Sequence, residues 1–282
     1  MIGVFDSGFG GLDVLRHLRR ALPERAFVYL GDSGRAPYGG RDAHTVLDFS
    51  EQAVERLFEE GCPLVVVACN TVSCVALRHL QRRYCGPGSP RRILGITIPG
   101  AELAVARSRA HIGIIATRRT VESGTYVAEI RKLGDRRVTQ VAAPLLVPIV
   151  EEGLERDVLA RLAVARTIAA LPPVDSLLLG CTHYPLLREA IEAALPPGVA
   201  VLDPAPYLAE RLVDWLARHP EFGTPDSAPA LRVLSTGDPA AFARHGARFL
   251  GAPLPPVEHV AEHGGRLAHR DPAEAPRGQV VR

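Results

Sequence analysis

Residues 64–71 (LVVVACNT) and residues 177–183 (LLLGCTH) decide how this chain folds. Each stretch is an apolar run that ends in a cysteine and small polar residues, just before a helical pattern begins. Continuous apolar runs are typical of strands that are buried on both faces of a parallel sheet. Chemistry in such sheets gathers at the carboxyl ends of the strands, so Cys69 and Cys181 stand where a reactive site would form.

Apolar runs of similar length recur along the chain and alternate with helical patterns. The predicted strands are Ile2–Phe5, Phe27–Leu30, Leu64–Ala68, Ile93–Ile96, His111–Ile115, Arg137–Val141, Ser176–Leu179, Val199–Leu202 and Leu231–Leu234. Residues 42–60 are typical of the segments between them, since apolar side chains recur there at helical spacing and Gly61 follows as a stop. The alternation predicts an α/β fold with mostly parallel sheets. A single sheet of this many strands would be long for 282 residues, so we expect two smaller ones.

The two cysteine-bearing stretches resemble each other, and about the length of one small domain separates them in the sequence. This internal similarity predicts two similar α/β domains that face each other across a central cleft, with the two thiols on opposite sides of the cleft. The segment from Ala261 to the end is polar and lacks a periodic pattern, so we expect residues 261–282 to form a loosely ordered tail.

Composition and charge exclude several classes of protein. Lys and Arg total 33 and Asp and Glu total 31, which gives no electrostatic footprint for nucleic acid. No apolar run approaches the roughly 20 residues of a membrane span, and residues 1–6 do not resemble a signal peptide. The five cysteines are too sparse for a disulfide scaffold. We therefore expect a cytoplasmic protein with free thiols and with neither nucleic-acid nor membrane partners.

Two of the five cysteines are candidates for chemistry. Cys69 and Cys181 precede helices, whose N-terminal N–H groups favour a thiolate. The alternative is a small buried hydrophobe, which is our interpretation of Cys62, Cys74 and Cys85. A zinc site built from Cys69 and Cys74, or from Cys181 and His183, is not predicted. Cys74 would lie inside a helix, and a second close pair of cysteines, which zinc sites usually have, is missing from the sequence.

Other polar residues at strand ends leave more than one interpretation open. The turn at residues 6–11 (DSGFGG) lacks the third glycine of a dinucleotide fingerprint, since Asp13 stands there. It could cradle a substrate carboxylate or be a tight turn capped by its aspartate. Thr117 and Thr120 could cap a helix or bind a ligand. His183 is either a proton donor and acceptor beside Cys181 or a core histidine, and Glu151 either acts at the site or is a solvated acid.

Taken together, these segments resemble the glutamate racemases, over residues 2 to about 260. The motifs that carry the resemblance are residues 3–11 (GVFDSGFGG), 29–32 (YLGD), 37–39 (PYG), 67–71 (VACNT), 116–117 (AT), 147–151 (VPIVE) and 179–186 (LGCTHYPL). Aspartate and hydantoin racemases share the paired cysteines. The FDSG opening and the GCTHYP segment fit the glutamate branch best.

The resemblance implies a reaction, a domain plan and a set of site residues. It implies that L- and D-glutamate are interconverted without a cofactor or metal, to supply D-glutamate for peptidoglycan, by a cytoplasmic homodimer. The first domain would comprise residues 1–96 and 205–260, and the second residues 97–204. The implied acid–base thiols are Cys69 and Cys181, with charged helpers Asp6, Asp32, Glu151 and His183. The implied substrate-binding positions are Asp6, Ser7, Pro37, Tyr38, Gly39, Asn70, Thr71, Thr117, Thr120, Thr182 and His183.

The chain departs from the family pattern at two places, and three other functions remain as alternatives. Residues 32–35 are DSGR where the family often has DTAR, and Ala143 stands where a cysteine is usual. A cysteine hydrolase could use Cys181 and His183, but would leave Cys69 unexplained. A non-enzymatic ligand-binding module and a racemase of another amino acid are the remaining alternatives. No pattern indicates pyridoxal phosphate. Lys132, the only lysine, lies in a charged helical stretch and does not decide this by itself.

Overall fold

A computed structural model describes residues 1–223 and 228–269. Within these ranges the strands carry the expected short, apolar sequences. They are β1 (Ile2–Asp6), β2 (Phe27–Gly31), β3 (Leu64–Val67), β4 (Arg92–Gly95), β5 (His111–Ala116), β6 (Arg137–Ala142), β7 (Ser176–Gly180), β8 (Ala200–Leu202), β9 (Leu231–Ser235), β10 (Val257–His263) and β11 (Arg266–His269). Each of the nine predicted strands is present, with ends that differ by no more than one residue.

Helices fill most of the connections between these strands. They are α1 (Gly11–Ala21), α2 (Ala43–Glu59), α3 (Asn70–Val75), α4 (Leu77–Tyr84), α5 (Thr97–Arg107), α6 (Arg118–Ser123), α7 (Thr125–Leu133), α8 (Leu146–Glu151), α9 (Val158–Ala169), α10 (Arg188–Ala194), α11 (Pro204–Arg218) and α12 (Pro239–Leu250). The sequence explains the start of α2, because the Asp42 side chain accepts hydrogen bonds from the backbone N–H groups of His44 and Thr45. No helix in these ranges has both the length and the apolar character that a membrane crossing requires.

The strands form two sheets, as predicted. The first has the order β11-β10-β9-β2-β1-β3-β4, and the second has the order β6-β5-β7-β8. Every pairing is parallel except the one between β10 and β11. The central strands β1, β2, β3 and β7 are buried along their whole length, which is why their sequences are continuously apolar. The expected α/β fold with two mostly parallel sheets is confirmed.

The predicted loose tail is wrong for residues 261–269. Strand β10 continues to His263, and β11 returns beside it as an antiparallel hairpin. The turn is Gly264-Gly265, both with positive φ, which is the conformation a two-residue hairpin requires. His269 of β11 also contacts Glu60, with 2.7 Å between Nε2 and Oε1. The remainder of the predicted tail, residues 270–282, lies outside the described residues.

The topology brings the carboxyl ends of strands from both sheets to one cavity. Strands β1, β2 and β3 end at Asp6, Gly31 and Val67 in the first sheet, while β5 and β7 end at Ala116 and Gly180 in the second. The segments that follow β1, β3, β5 and β7 all contribute to the wall of this cavity. The polar residues that the sequence sets just after its apolar runs are thereby gathered in one place.

Candidate active site

The cavity has a volume of about 320 Å³ and is lined by segments from both sheets. Twelve of the sequence-predicted site residues line it: Ser7, Pro37, Tyr38, Gly39, Cys69, Asn70, Thr71, Thr117, Glu151, Cys181, Thr182 and His183. Seven further lining residues are not among the predicted ones: Gly8, Ala36, Gly40, Arg118, Pro144, Val147 and Pro148. Three predicted residues, Asp6, Asp32 and Thr120, are outside the wall.

Cys69 comes directly after β3 and is the N-cap residue of α3. Its Sγ lies 3.5 Å from Ser7 Oγ, within hydrogen-bonding distance. Burial, together with the negative charge of Asp6, raises the pKa of the Cys69 thiol to about 12. At neutral pH the thiol of Cys69 is therefore protonated in the ligand-free protein.

Asp6 lies behind the cavity wall and links its two sides. The backbone N–H of Gly8 donates to its Oδ2 at 2.9 Å, and Thr182 Oγ1 donates to its Oδ1 at 3.3 Å. The carboxyl is fully buried, and this burial raises the pKa of Asp6 despite the positive charge of His183 nearby. A buried carboxyl with a raised pKa, close to Cys69, can accept or return a proton more readily than a solvated one.

Cys181, His183 and Glu151 form a chain of polar contacts on the side of the second sheet. Cys181 Sγ lies 3.8 Å from Nδ1 of His183, and Nε2 of the same ring lies 3.1 Å from Glu151 Oε1. Burial opposes a charge on the imidazole, but the hydrogen bonds with Cys181 and Glu151 raise the pKa of His183 to about 10. The imidazole is therefore protonated at neutral pH and adjacent to the thiol.

Three threonine hydroxyls form a hydrogen-bonded cluster that links the segment after β3 to the segment after β5. Thr71 Oγ1 lies 2.9 Å from Thr117 Oγ1 and 3.3 Å from Thr120 Oγ1, and the last two lie 3.0 Å apart. Thr117 also accepts a hydrogen bond from the backbone N–H of Thr120 as the N-cap of α6. Thr117 thus caps a helix and also lines the cavity, whereas Thr120 contacts it from outside the wall.

Asp32 lies outside the cavity wall, among neighbouring side chains. Its carboxylate is fully buried, accepts hydrogen bonds from Arg35 Nε at 2.9 Å and Thr236 Oγ1 at 2.6 Å, and also accepts one from the Tyr38 hydroxyl. Tyr38 lines the cavity and Asp32 does not, so this carboxylate contacts the cavity wall through the Tyr38 hydroxyl.

The glycines of residues 8–11 allow the close packing of the turn after β1. A Cβ atom at Gly10 would lie 2.3 Å from Thr182 Oγ1 and 2.7 Å from His183 Nδ1. A Cβ atom at Gly11 would lie 2.4 Å from the Asp6 Cβ. These contacts are far shorter than van der Waals separation, so α1 begins against the functional side chains only because these positions lack a side chain.

Among residues 1–223 and 228–269, one cluster of possible metal ligands lies outside the cavity. Asp13, His17 and Asp203 have ligand atoms within 4.8 Å of one another. Arg16 forms an ion pair with Asp13, and Asp203 caps α11 through the N–H of Ala205. The arginine already compensates one of the carboxylates. Cys74, the partner considered for a zinc site, instead lies 3.4 Å from Thr97 Oγ1.

The fold and this cavity define a class of protein: an α/β enzyme in which one cysteine from each of two mostly parallel sheets lines a shared site. The chain belongs to the Asp/Glu/Hydantoin racemase family, whose model matches residues 2–212. Members of this class are isomerases, and the resemblance to glutamate racemases drawn from the motifs is confirmed.

Individual relatives support the same assignment. The glutamate racemase of Cereibacter sphaeroides strain ATCC 17023 is 38% identical over 266 residues, which cover 88% of this chain and 96% of the relative. The crystal structure of glutamate racemase from Thermus thermophilus, in complex with beta-chloro-D-alanine, superposes with a TM-score of 0.81. It is 40% identical, and the match covers 92% of this chain and 96% of that one. The Francisella tularensis enzyme in complex with D-glutamate gives a TM-score of 0.84 at 29% identity, with coverages of 92% and 97%.

Proposed function

We propose that this protein interconverts L- and D-glutamate with Cys69 and Cys181 as its two acid–base groups. The observation that carries the proposal is that both thiols line one cavity and come from different sheets. Racemisation requires a proton to leave one face of the α-carbon and another to arrive at the opposite face. Two bases on either side of a cleft accomplish this without any rotation of the substrate.

The proton transfers balance with one thiolate and one thiol. The thiolate forms an S–H bond with the α-proton, and the electron pair of the broken C–H bond remains on the substrate as a carbanion. The opposite thiol then gives its proton to that carbon and becomes the thiolate. By family analogy, Cys69 takes the proton from D-glutamate and Cys181 takes it from L-glutamate. The two sulfurs therefore exchange protonation states in each turnover.

The two sides of the site differ in the charged groups that lie beside their thiols. Burial and Asp6 favour the neutral thiol at Cys69. On the opposite side, the protonated His183 lies 3.8 Å from Cys181 and is held by Glu151. An imidazolium at this distance stabilises a neighbouring thiolate. Asp6 and His183 thus assist the thiols when their protonation states change.

Neutral donors around the cavity would stabilise the carbanion. The hydroxyls of Ser7, Thr71 and Thr117 and the amide of Asn70 lie in the wall close to the cysteines. Such donors stabilise charge that develops on a substrate carboxylate, since they are already in place when the charge forms. The only lysine does not line this cavity and donates instead to Glu129 at 2.9 Å. A Schiff base between Lys132 and pyridoxal phosphate is therefore not part of the proposal, and the mechanism needs no cofactor.

The cellular context follows from the product. D-glutamate made by this enzyme would enter peptidoglycan, and the reaction would take place in the cytoplasm, where thiols stay reduced. All five cysteines lie in the described part of the chain and none forms a disulfide there. Neither nucleic acid nor a membrane takes part in the proposed reaction.

The proposed assembly is a homodimer. Leu145, Leu154, Val158, Leu159 and Leu162 are between 36% and 63% exposed and lie close together in sequence around α8 and α9. A group of exposed large apolar side chains is typical of an interaction surface. Sedimentation should give the mass of two chains for the wild type and of one chain for Leu162→Glu. A monomeric wild-type protein would exclude the dimer.

The proposed activity is tested with glutamate in D2O. Purified protein without added cofactor should remove the α-proton signal of D-glutamate in proton NMR and abolish its optical rotation, while D-aspartate should remain unchanged. Loss of the signal with aspartate alone would assign the mechanism to another substrate. Acylation by an active ester would favour the cysteine hydrolase. Binding of glutamate without exchange would favour a ligand-binding module.

A further inference from the structure

One hydrogen bond joins a buried tyrosine that follows a strand of the second sheet to a cavity residue that follows a strand of the first. Tyr126 belongs to α7, which follows the second sheet's β5, whereas Asn70 begins α3, which follows the first sheet's β3. The Tyr126 hydroxyl donates to Asn70 Oδ1 at 2.5 Å, and both side chains are buried. Asn70 lines the cavity beside Cys69, while Tyr126 does not line it.

The other half of the Asn70 amide has no partner. Its Nδ2 is buried and forms no hydrogen bond within the described part of the chain. Buried donors are almost always paired in proteins, because a donor removed from water without an acceptor is costly. An acceptor supplied by a ligand in the cavity would remove that cost. A carboxylate oxygen is the acceptor that matches an amide donor in a site for an amino acid.

The surroundings of Tyr126 hold its hydroxyl in one place. The neighbouring Thr125 Oγ1 donates to the backbone carbonyl of Cys74 at 2.7 Å, which fixes the start of α7 against the end of α3. Gly100 leaves the space that the phenol occupies, since a Cβ atom there would lie 3.0 Å from the hydroxyl oxygen. Burial also raises the pKa of Tyr126 well above its ordinary value, so the hydroxyl retains the proton that it donates.

We propose that Tyr126 is a positioning residue, whose hydroxyl holds Asn70 Oδ1 so that Nδ2 donates to a carboxylate oxygen of the substrate. This inference rests on the proposed function, since glutamate is the ligand that it orients. Tyr126 does not touch the substrate and acts only through Asn70. Without the hydroxyl, the Asn70 amide can rotate, and its oxygen would then repel the carboxylate that its nitrogen should bind.

The test compares Tyr126→Phe with the wild type by calorimetric binding of D-glutamate and by steady-state kinetics. Phenylalanine keeps the buried ring and removes only the donor. We expect the Kd and the KM for glutamate to rise by on the order of tenfold, as for the loss of one hydrogen bond, with a smaller change in kcat. Tyr84→Phe is the control, because it loses a 2.6 Å hydrogen bond to Glu55 away from the cavity and should leave Kd and KM unchanged.

Combining the Tyr126 and Asn70 substitutions in one protein distinguishes a positioning role of Tyr126 from a general loss of structure. In an Asn70→Ala background, Tyr126→Phe should produce no further rise in Kd, since the group that it positions is gone. Asn70→Asp keeps an acceptor for the tyrosine but replaces the donor, so it should fold like the wild type and bind glutamate weakly. A wild-type Kd for Tyr126→Phe or for Asn70→Asp would overturn the inference. A full tenfold effect of Tyr126→Phe in the Asn70→Ala background would also overturn it.

The same measurements distinguish this inference from the proposed function. If the wild type binds glutamate but does not exchange its α-proton, the proposed reaction fails and the Kd ratios still decide the role of Tyr126. If the wild type racemises glutamate and Tyr126→Phe matches it, only the inference about Tyr126 fails. If the wild type does not bind glutamate, both fail.

Discussion

Glu151 Oε1 lies 3.1 Å from Nε2 of His183, and this contact directs the other ring nitrogen toward Cys181 Sγ. The two residues are far apart in sequence and meet because α8 ends beside the loop that follows β7. The carboxylate favours the protonated imidazole, and the imidazolium lies against one of the two proposed acid–base thiols. The protonation of His183 is therefore the electrostatic feature that the proposed mechanism depends on most directly.

Replacement of Glu151 by glutamine should move the alkaline limit of activity. The pKa of His183 is raised to about 10 partly by Glu151, so loss of the negative charge lowers it. The imidazolium is then lost at a lower pH, and kcat/KM in the L-to-D direction should fall earlier as the pH rises from 7 to 11. Glu152→Gln, a change at an exposed neighbour, should keep the wild-type profile. An unchanged alkaline limit in Glu151→Gln would contradict the role given to this contact.

A single methyl group at Gly10 should lower activity strongly and leave most of the fold intact. Its Cβ would lie 2.3 Å from Thr182 Oγ1 and 2.7 Å from His183 Nδ1, so both side chains must move. We expect Gly10→Ala to lower kcat/KM by at least 100-fold, since misplacement by about 1 Å has effects of that size. Far-ultraviolet circular dichroism should stay close to that of the wild type. At Gly86 no atom lies within 4 Å of an added Cβ, so Gly86→Ala should be fully active.

Asp32→Asn should weaken both stability and substrate binding. The change leaves Arg35 without its buried charge partner, which should lower the free energy of unfolding by about 3 kcal/mol. It also weakens the acceptor of the Tyr38 hydroxyl, so the cavity wall at residues 36–40 should loosen and KM should rise more than kcat falls. Urea unfolding and steady-state kinetics measure the two effects. Asp48→Asn, at an exposed residue paired only with exposed His44, should alter neither, and a wild-type KM in Asp32→Asn would refute the positioning role.

The strands of the central sheets could be predicted because burial on both faces leaves a continuous apolar run. Strand β10 was missed because residues 257–263 (VEHVAEH) are only partly buried and therefore mix polar with apolar side chains. Strand β11 was missed with it, although Gly264-Gly265 between them is a recognised hairpin signal. A polar segment at the sheet edge resembles a loop until its partner strand is known.

Candidate site residues could be predicted where a motif follows a buried strand, as at Cys69 and Cys181. The position of Asp32 could not be predicted in the same way, because a strand-end carboxylate faces either a ligand or its own neighbours. The contacts of Asp32 with Arg35 and Tyr38 show that its carboxylate faces neighbouring side chains, and the sequence does not contain this information. Tyr126 carries no signal in sequence, since an aromatic residue within a helix usually belongs to the core. Arg118, which lines the cavity, resembles any surface arginine.

In the proposed mechanism the two thiols act on opposite faces of one carbon, and variants that lack one cysteine test this. Cys69→Ala and Cys181→Ala should each lower the racemisation rate by on the order of 10²–10⁴-fold. Cys85→Ala, at a cysteine that does not line this cavity, serves as the control and should racemise like the wild type.

The decisive measurement is α-proton exchange in D2O for each enantiomer with these variants. With Cys69→Ala, the remaining thiol should exchange the α-proton of L-glutamate and return deuterium to the same face, while D-glutamate keeps its proton. Cys181→Ala should show the reverse preference. Racemisation at the wild-type rate by either variant, or equal exchange of both enantiomers by one of them, would contradict the two-thiol mechanism.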